Sequence, residues 1–155
     1  MQMTLLFAFL IGLFAGLRSV TPPAAVAWAV YLGWLRLARP LAYIGSLPGV
    51  IILSLFAIVE IMADKLPNTP NRTALPGLIT RTVTGGVTGA CVSLGGGRSA
   101  YVGAALGVIG GIVGAFGGYQ VRARLVKSLG QPDFYVALVE DLIAIGGSLF
   151  VVSRF

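Results

Sequence analysis

The hydrophobic positions divide the chain into apolar runs of helical length, separated by short polar or proline- and glycine-rich segments. The first run covers about residues 3–17, and a second follows at once and extends to about residue 38. As one helix they would be about 54 Å long, whereas the hydrocarbon core of a bilayer is about 30 Å thick. We therefore expect the chain to turn within residues 18–23, where Pro22 and Pro23 suit the first turn of a new helix.

The remaining apolar runs predict four further helices, over about residues 49–65, 75–92, 100–125 and 134–153. Residues 67–73, which are polar and include two prolines, are expected to form a connecting loop at one membrane face. The 100–125 helix is rich in glycine at spacing four, which lets helix backbones approach closely in lipid. The predicted packing residues are Gly103, Gly107, Gly110, Gly111, Gly114 and Gly118.

The composition favours a membrane protein over a soluble one. Hydrophobic residues make up 57% of the 155 residues and charged residues 10%, with a mean hydropathy of +0.93. Soluble domains have about a quarter charged residues, and a domain this small could not bury so many apolar runs. We predict an all-α polytopic transmembrane bundle of about six spans, with four or five if one break is a re-entrant hairpin. Residues 1–155 form one integral membrane domain.

The net charge of +6 does not indicate nucleic-acid binding, because the basic residues stand singly at the ends of apolar runs. A bias of cytoplasmic loops towards Lys and Arg explains them better. The chain has no histidine and one cysteine, Cys91. This argues against a disulfide framework, a zinc site or an imidazole-based triad. We expect neither an enzyme nor a bound metal or cofactor.

An internal repeat is the main organising feature. Residues 77–86 repeat the order found in residues 16–25: glycine, leucine, arginine, a hydroxyl residue, valine, threonine and a pair of helix-disrupting residues. Residues 137–140 echo residues 57–60 in the same way. We predict two pseudo-symmetric halves, 1–66 and 74–155, with an odd number of spans each and therefore opposite orientations. Each half would hold an interrupted helix, at Thr21-Pro22-Pro23 and at Thr84-Gly85-Gly86.

Ionisable residues inside these helices are the candidate functional groups, because they are costly in a membrane and usually face a wet cavity or the bundle interior. Arg18 and Arg81 would pair with Glu60, Glu140 or Asp141. Helix breaks in matching positions of two halves are typical of transporters, and their exposed N–H groups suit an anion. The predicted site residues are Arg18, Ser19, Thr21, Glu60, Asp64, Arg81, Thr82, Thr84, Glu140 and Asp141.

These residues predict a small transporter or channel for an ion or a small solute. The acidic residues could gate, couple protons or attract a cation, so the sign of the solute stays open. The same charges could instead form a purely structural network that holds the two halves together. A homo-oligomer is expected.

Two alternative functions remain open at this level. In the first, the glycine-rich helix joins the chain to a larger membrane complex as a structural or assembly subunit. In the second, the protein handles lipids, in the manner of a flippase, with Arg122, Arg124 and Lys127 on headgroup phosphates.

The distribution of positive charge predicts the orientation. With six spans, the Arg18 turn, the loop after Asp64 and the basic segment from Arg122 to Lys127 share one side, which holds slightly more positive charge than the other. By the positive-inside rule this side is cytoplasmic, with both termini outside.

Several short motifs resemble one known family. They are residues 63–67 (Ala-Asp-Lys-Leu-Pro), the Arg81 segment, residues 117–119 (Gly-Gly-Tyr) and residues 138–141 (Leu-Val-Glu-Asp). Together they look like the domain of unknown function 4126 family, which comprises small bacterial multi-pass membrane proteins. The resemblance implies an integral protein of the bacterial cytoplasmic membrane, and it supplies neither a substrate nor a catalytic residue.

Overall fold

A computed structural model describes residues 2–64, 73–130 and 133–155. The helical prediction is confirmed: within these residues the chain is all-α, with six α-helices, one short 3₁₀ helix and no strand. Most of the predicted loop, residues 67–72, lies outside the described residues. The helices are α1 (Gln2–Leu17), α2 (Thr21–Tyr31), α3 (Leu47–Ala63), α4 (Leu75–Gly95), α5 (Ala100–Leu129) and α6 (Asp133–Val152), and the 3₁₀ helix is Leu41–Gly45.

The first predicted break is present, and it reverses the chain. α1 ends at Leu17 and α2 begins at Thr21 with prolines in its first turn. α2 then runs back through the bundle, because Ala29 near its end belongs to the same buried cluster as Ala8 near the start of α1. The C-terminus of α1 and the N-terminus of α2 therefore lie at the same end of the bundle.

The predicted extension of the second helix to residue 38 is wrong. Gly33 has a φ of +79°, in the left-handed region that glycine adopts without a steric penalty. The backbone N–H groups of Trp34 and Leu35 both donate to the carbonyl of Ala29, which closes the helix end. At about 1.5 Å per residue the 11-residue α2 is about 16 Å long, too short to cross a bilayer.

The second predicted break is also wrong. α4 continues without interruption from Leu75 to Gly95, through Thr84, Gly85 and Gly86. Unlike proline, glycine keeps its backbone N–H and can remain within a helix. In α4 the absence of side chains at these glycines also permits close helix packing. A Cβ added to Gly85 would lie under 3.0 Å from the carbonyl oxygen of Gly107 on α5.

Glycines bring α1, α4 and α5 into backbone contact. A Cβ added at Gly12 of α1, or at Gly89 of α4, would lie under 3.0 Å from backbone atoms of Gly107. Five of the six glycines that the sequence selected on α5 lie at such contacts, while Gly118 lines an open cleft. The facing backbone atoms belong to Gly89 for Gly103, Gly85 for Gly107, Phe9 for Gly110, Arg81 for Gly111 and Leu13 for Gly114.

Among the described residues, two helices are long and apolar enough to cross a membrane, Ala100–Ser128 and Asp133–Val152. Met3–Leu17 and Leu47–Ala63 are shorter apolar helices. Large apolar side chains cover the outer faces: Leu55, Phe56 and Val59 of α3 are each more than half exposed.

Candidate functional site

Acidic side chains collect at one end of the bundle, where α1, α3 and α5 end and α2, α4 and α6 begin. The chain has five acidic residues, and all of them bond to groups at this end. Two arginines, from the α1–α2 turn and from α5, contact these carboxylates, and a third arginine, on α4, donates to the carbonyl of Gly16 beside the turn. We refer to this set as the charge network; it consists of Arg18, Arg81, Arg122, Glu60, Asp64, Asp133, Glu140 and Asp141.

Arg18 lies at the buried side of the charge network and is 0% exposed. Its Nε donates to Oδ1 of Asp141 at 2.5 Å. Its Nη1 is 2.8 Å from Oδ2 of Asp64, which is a contact of charges without a hydrogen bond. Nη2 is buried and has no hydrogen-bond partner among the described residues. Arg18 thus joins α3 and α6 to the turn while keeping an unused donor.

Arg122 links the charge network to the bundle end. Its Nε and Nη2 donate to the two carboxylate oxygens of Asp133, at 2.7 and 2.5 Å. Its Nη1 lies 2.8 Å from Oδ2 of Asp64 and 3.5 Å from Oε2 of Glu140. Asp64 Oδ2 therefore lies between two guanidinium groups, which stabilise its charge away from water.

Glu60 stabilises the start of α2 from another helix. Its Oε1 accepts from the backbone N–H of Ser19 at 2.7 Å and from the Ser19 hydroxyl at 2.5 Å. Its Oε2 accepts from the N–H of Val20 at 2.9 Å. Val20 offers no side-chain cap of its own, so the Glu60 carboxylate satisfies N–H groups at the positive end of the α2 dipole.

Arg81 stabilises the other helix end at the α1–α2 turn, the C-terminus of α1. Its Nε donates to the carbonyl of Gly16, near the C-terminus of α1, at 3.1 Å. Its Nη1 donates to the carbonyl of Gly77 on its own helix at 3.2 Å. A cation beside the last carbonyls of a helix complements the negative end of the dipole. Both helix ends at the α1–α2 turn therefore have an ion of the opposite sign.

The predicted hydroxyl residues divide into two groups. Ser19 bonds to Glu60, and Thr21 has a buried Oγ1 without a partner among the described residues. Thr82 and Thr84 donate to carbonyls one turn back in α4, so their hydroxyls satisfy their own helix. The structure thus brings the predicted ionic residues together with Ser19, and leaves Thr82 and Thr84 outside the network.

Arg122 and Asp133 belong to the charge network, although the sequence assigned Arg122 to lipid headgroups and did not select Asp133. The sequence does contain a local signal for this pair: a basic residue precedes the short connection between α5 and α6, and an acidic residue follows it. Because so few residues join the two helices, Arg122 and Asp133 come close together. Arg124 and Lys127, the other two predicted headgroup residues, are exposed and lie outside the network.

The charge network extends inward and meets two cavities. Asp133 and Asp141 are eight residues apart on α6, so the network enters the bundle for about 12 Å. Arg122 and Glu140 line a cleft of about 550 Å³ between α1, α5 and α6. Thr21 lines a second cavity of about 230 Å³ between α2, α3 and α6.

An apolar cluster fills the other end of the bundle, where Ile11, Val26, Val92 and Val151 are all fully buried. Within the described residues, no group of three carboxylates, histidines or cysteines is arranged to hold a metal ion. The network therefore combines buried ion pairs with backbone dipoles.

The chain belongs to the family described as Domain of unknown function (DUF4126), whose model matches residues 5–153. The match includes every residue of the charge network, and it confirms the resemblance seen in the short motifs. Neither the curated proteins nor the solved structures include a match to this chain.

Proposed function

We propose that this protein is a multi-pass protein of the bacterial cytoplasmic membrane that moves an ion or a small solute through the charge network at the α1–α2 turn. Residues 1–66 and 74–155 would be its two related halves. These halves would not share matched helix breaks, because α2 begins at the first predicted break whereas α4 continues through the second.

The outer surface supports a membrane location. Apolar side chains that would be unfavourable in water, such as Leu55 and Phe56 on α3 and Leu142 on α6, are each more than half exposed. Exposed apolar patches of this extent are rare on soluble monomers, whereas acyl chains solvate them well. Arg18, Glu140 and Asp141 are meanwhile buried, as expected for ionisable residues in membrane helices.

The observation that carries the proposal is the complete burial of Arg18 between carboxylates from two other helices. Apolar side chains of similar volume often stabilise a core as well as, or better than, a buried ion pair. Packing alone therefore does not explain why this bundle places its acidic residues inside. Ionisable groups within membrane helices commonly mark ion or solute pathways.

The unused atoms favour a solute that accepts hydrogen bonds. Arg18 Nη2 and Thr21 Oγ1 are buried polar atoms without a partner among the described residues. A buried donor without an acceptor is costly, and an anion or a carbonyl-bearing solute would satisfy it. The α2 N-terminus, which suits an anion, already holds the carboxylate of Glu60. A solute would therefore bind beside Glu60 or take its place.

A flux assay tests the proposal. The full chain is reconstituted in liposomes, and the uptake of chloride, acetate and potassium is measured together with proton movement. We expect flux of at least one of these ions with the wild type. Arg18→Ala, Arg81→Ala and Glu140→Gln should each reduce it, because each removes a charge from the network.

Arg36→Gln provides the control, since this exposed arginine lies outside the charge network. It should leave flux unchanged. Equal flux in the wild type and the three network variants would show that the site is wrong. Absence of flux for every ion would contradict transport and favour a structural network.

A further inference from the structure

The cavity of about 230 Å³ occupies the gap between α3 and α6, and α2, which packs on both helices, forms its floor. Thr21 and Trp28 mark its two ends on α2. They are seven residues apart, so the cavity extends for about 10 Å along this helix. Its apolar lining consists mainly of Ala24 and Ala25 of α2, Ala57 and Ile61 of α3, and Ile145 and Leu149 of α6.

The polar groups at the two ends of the cavity differ in their hydrogen bonds. At one end, Nε1 of Trp28 donates to Oγ of Ser54 at 3.0 Å. At the other end, Thr21 is 6% exposed, and its Oγ1 has no partner among the described residues. A buried hydroxyl without a partner is costly, and a ligand that bonds to it removes that cost. The unsatisfied polar position of the cavity is therefore at Thr21.

Arg18 closes the gap between α3 and α6 beyond Thr21. Asp64 follows Ile61 by three residues, and Asp141 precedes Ile145 by four, so both carboxylates lie one turn beyond the cavity on the faces that line it. Arg18 contacts both of them and also carries the buried, unpartnered Nη2. Its charge is thus already engaged. An ionic ligand would lose its hydration among apolar walls without a counter-ion of its own, so the ligand is neutral.

We propose that this cavity binds a small neutral amphiphile, with a hydroxyl or carbonyl head at Thr21 and a short alkyl chain that extends towards Trp28. The Thr21 hydroxyl can donate to either head. The apolar walls match the chain. Ile58, which also lines the cavity, is more than half exposed, so the ligand can enter from the outer apolar surface. The site goes beyond the proposed function, since it requires no flux through the charge network.

Fluorescence quenching of the full chain in mild detergent tests this site. The probe is bromohexanol with bromine and hydroxyl at opposite ends of its chain, and Trp34→Phe leaves Trp28 as the single tryptophan. With the hydroxyl at Thr21, the bromine lies beside Trp28, and bromine quenches indole fluorescence only near contact. We therefore expect saturable quenching of Trp28.

The matched control is Trp28→Phe, which leaves Trp34 as the single tryptophan. Trp34 is 46% exposed, close to the 44% of Trp28, but it lies outside the cavity. It should show only the non-saturable quenching caused by probe dissolved in detergent. Saturable quenching of Trp34 equal to that of Trp28 would contradict a site in this cavity.

The polar head is tested with bromohexane, which lacks the hydroxyl and should bind about fivefold to tenfold more weakly. Thr21→Val should remove this preference without lowering the melting temperature, because it deletes a hydroxyl that has no partner among the described residues. Equal binding of the two probes when Thr21 is present would contradict the head position. An unchanged preference in Thr21→Val would contradict it as well.

The alkyl-chain position is tested by filling the cavity from α3. Ala57→Phe should abolish the saturable quenching of Trp28, and the milder Ala57→Leu should weaken it. Val59→Phe is the control on the same helix, since Val59 is 58% exposed and lies outside the cavity. Unchanged quenching in both Ala57 variants would contradict the site, and so would the absence of saturable quenching when Thr21 and Ala57 are both present.

Discussion

Residues 16–25 and 77–86 share one order of residue types, yet the structure uses them in opposite ways. The first segment ends α1, turns and starts α2. The second lies inside the uninterrupted α4. Arg18 consequently lies at a chain reversal and bonds to carboxylates, whereas the bonds described for Arg81 go to backbone carbonyls.

The difference lies in the final pair of residues and in what each segment meets. Pro22 and Pro23 cannot donate backbone hydrogen bonds, so they favour a helix start. Gly85 and Gly86 keep their donors, and Gly85 allows the backbone of α5 to approach. Proline and glycine both disfavour helices in isolation, yet here proline starts a new helix and glycine stays inside one. The reason is that proline lacks a backbone hydrogen-bond donor, whereas glycine lacks only a side chain.

The largest expected effect comes from Arg18→Met, which would leave Asp141 and Asp64 without this cation in a buried site. We expect a loss of about 3–5 kcal/mol in the free energy of unfolding. Arg81→Met should cost less, about 1–3 kcal/mol, since carbonyls lose less than carboxylates when a donor is removed. Unfolding in SDS titrations, followed by circular dichroism, measures both.

A matched double variant sharpens this test. Arg18→Met with Asp141→Leu should be more stable than Arg18→Met alone, because one uncompensated charge is removed. Equal losses for the Arg18 and Arg81 single variants would mean that the two arginines are equivalent after all.

The second largest effect is expected from Gly86→Pro, which gives α4 part of the proline pair of the first segment. Proline at this interior position removes the N–H bond to the carbonyl of Thr82 and clashes with it, at a cost of about 3 kcal/mol or more. The melting temperature in detergent reports the loss. Gly86→Ala is the control and should cost less, since alanine favours a helix interior and its Cβ, 3.0 Å from Cγ2 of Val108, requires only a small shift of that side chain. Tolerance of the proline would indicate that α4 can also break here.

Glu60→Ala should have an intermediate effect. Three donors at the α1–α2 turn would lose their acceptor, for which we expect a loss of about 1–3 kcal/mol. Glu60→Gln, which keeps one oxygen, should lose less. Hydrogen exchange of residues 19–24 should rise in Glu60→Ala before global unfolding. Unchanged exchange there would show that the turn is held by the prolines alone.

The smallest effect is expected from Pro23→Ala, at about 1 kcal/mol or less. Proline favours the helix start, but the Glu60 cap and the buried Arg18 remain in place. Hydrogen exchange over α2 measures any extension or fraying of the helix start. A larger loss than in Glu60→Ala would reverse our ranking of cap and proline.

Much of the helical framework was predictable because it depends on local features. Apolar runs located the helices to within a few residues, and the prolines located the turn. The main boundary error, at the end of α2, arose because the run from Tyr31 to residue 38 is apolar apart from Arg36. It took the φ of Gly33 and the two N–H bonds to Ala29 to show that the helix stops.

The sequence alone determined that ionisable residues stand within or beside apolar helices, and that a chain reversal follows Leu17. Only the tertiary structure decided which charge meets which. Arg18 bonds to a carboxylate 123 positions away, and Asp64 lies between Arg18 of the α1–α2 turn and Arg122 of α5. Such pairing depends on the relative positions of packed helices, which glycine contacts set across the chain. Spacing along the sequence fixes only which residues share the face of one helix, so it could identify these charges without identifying their partners.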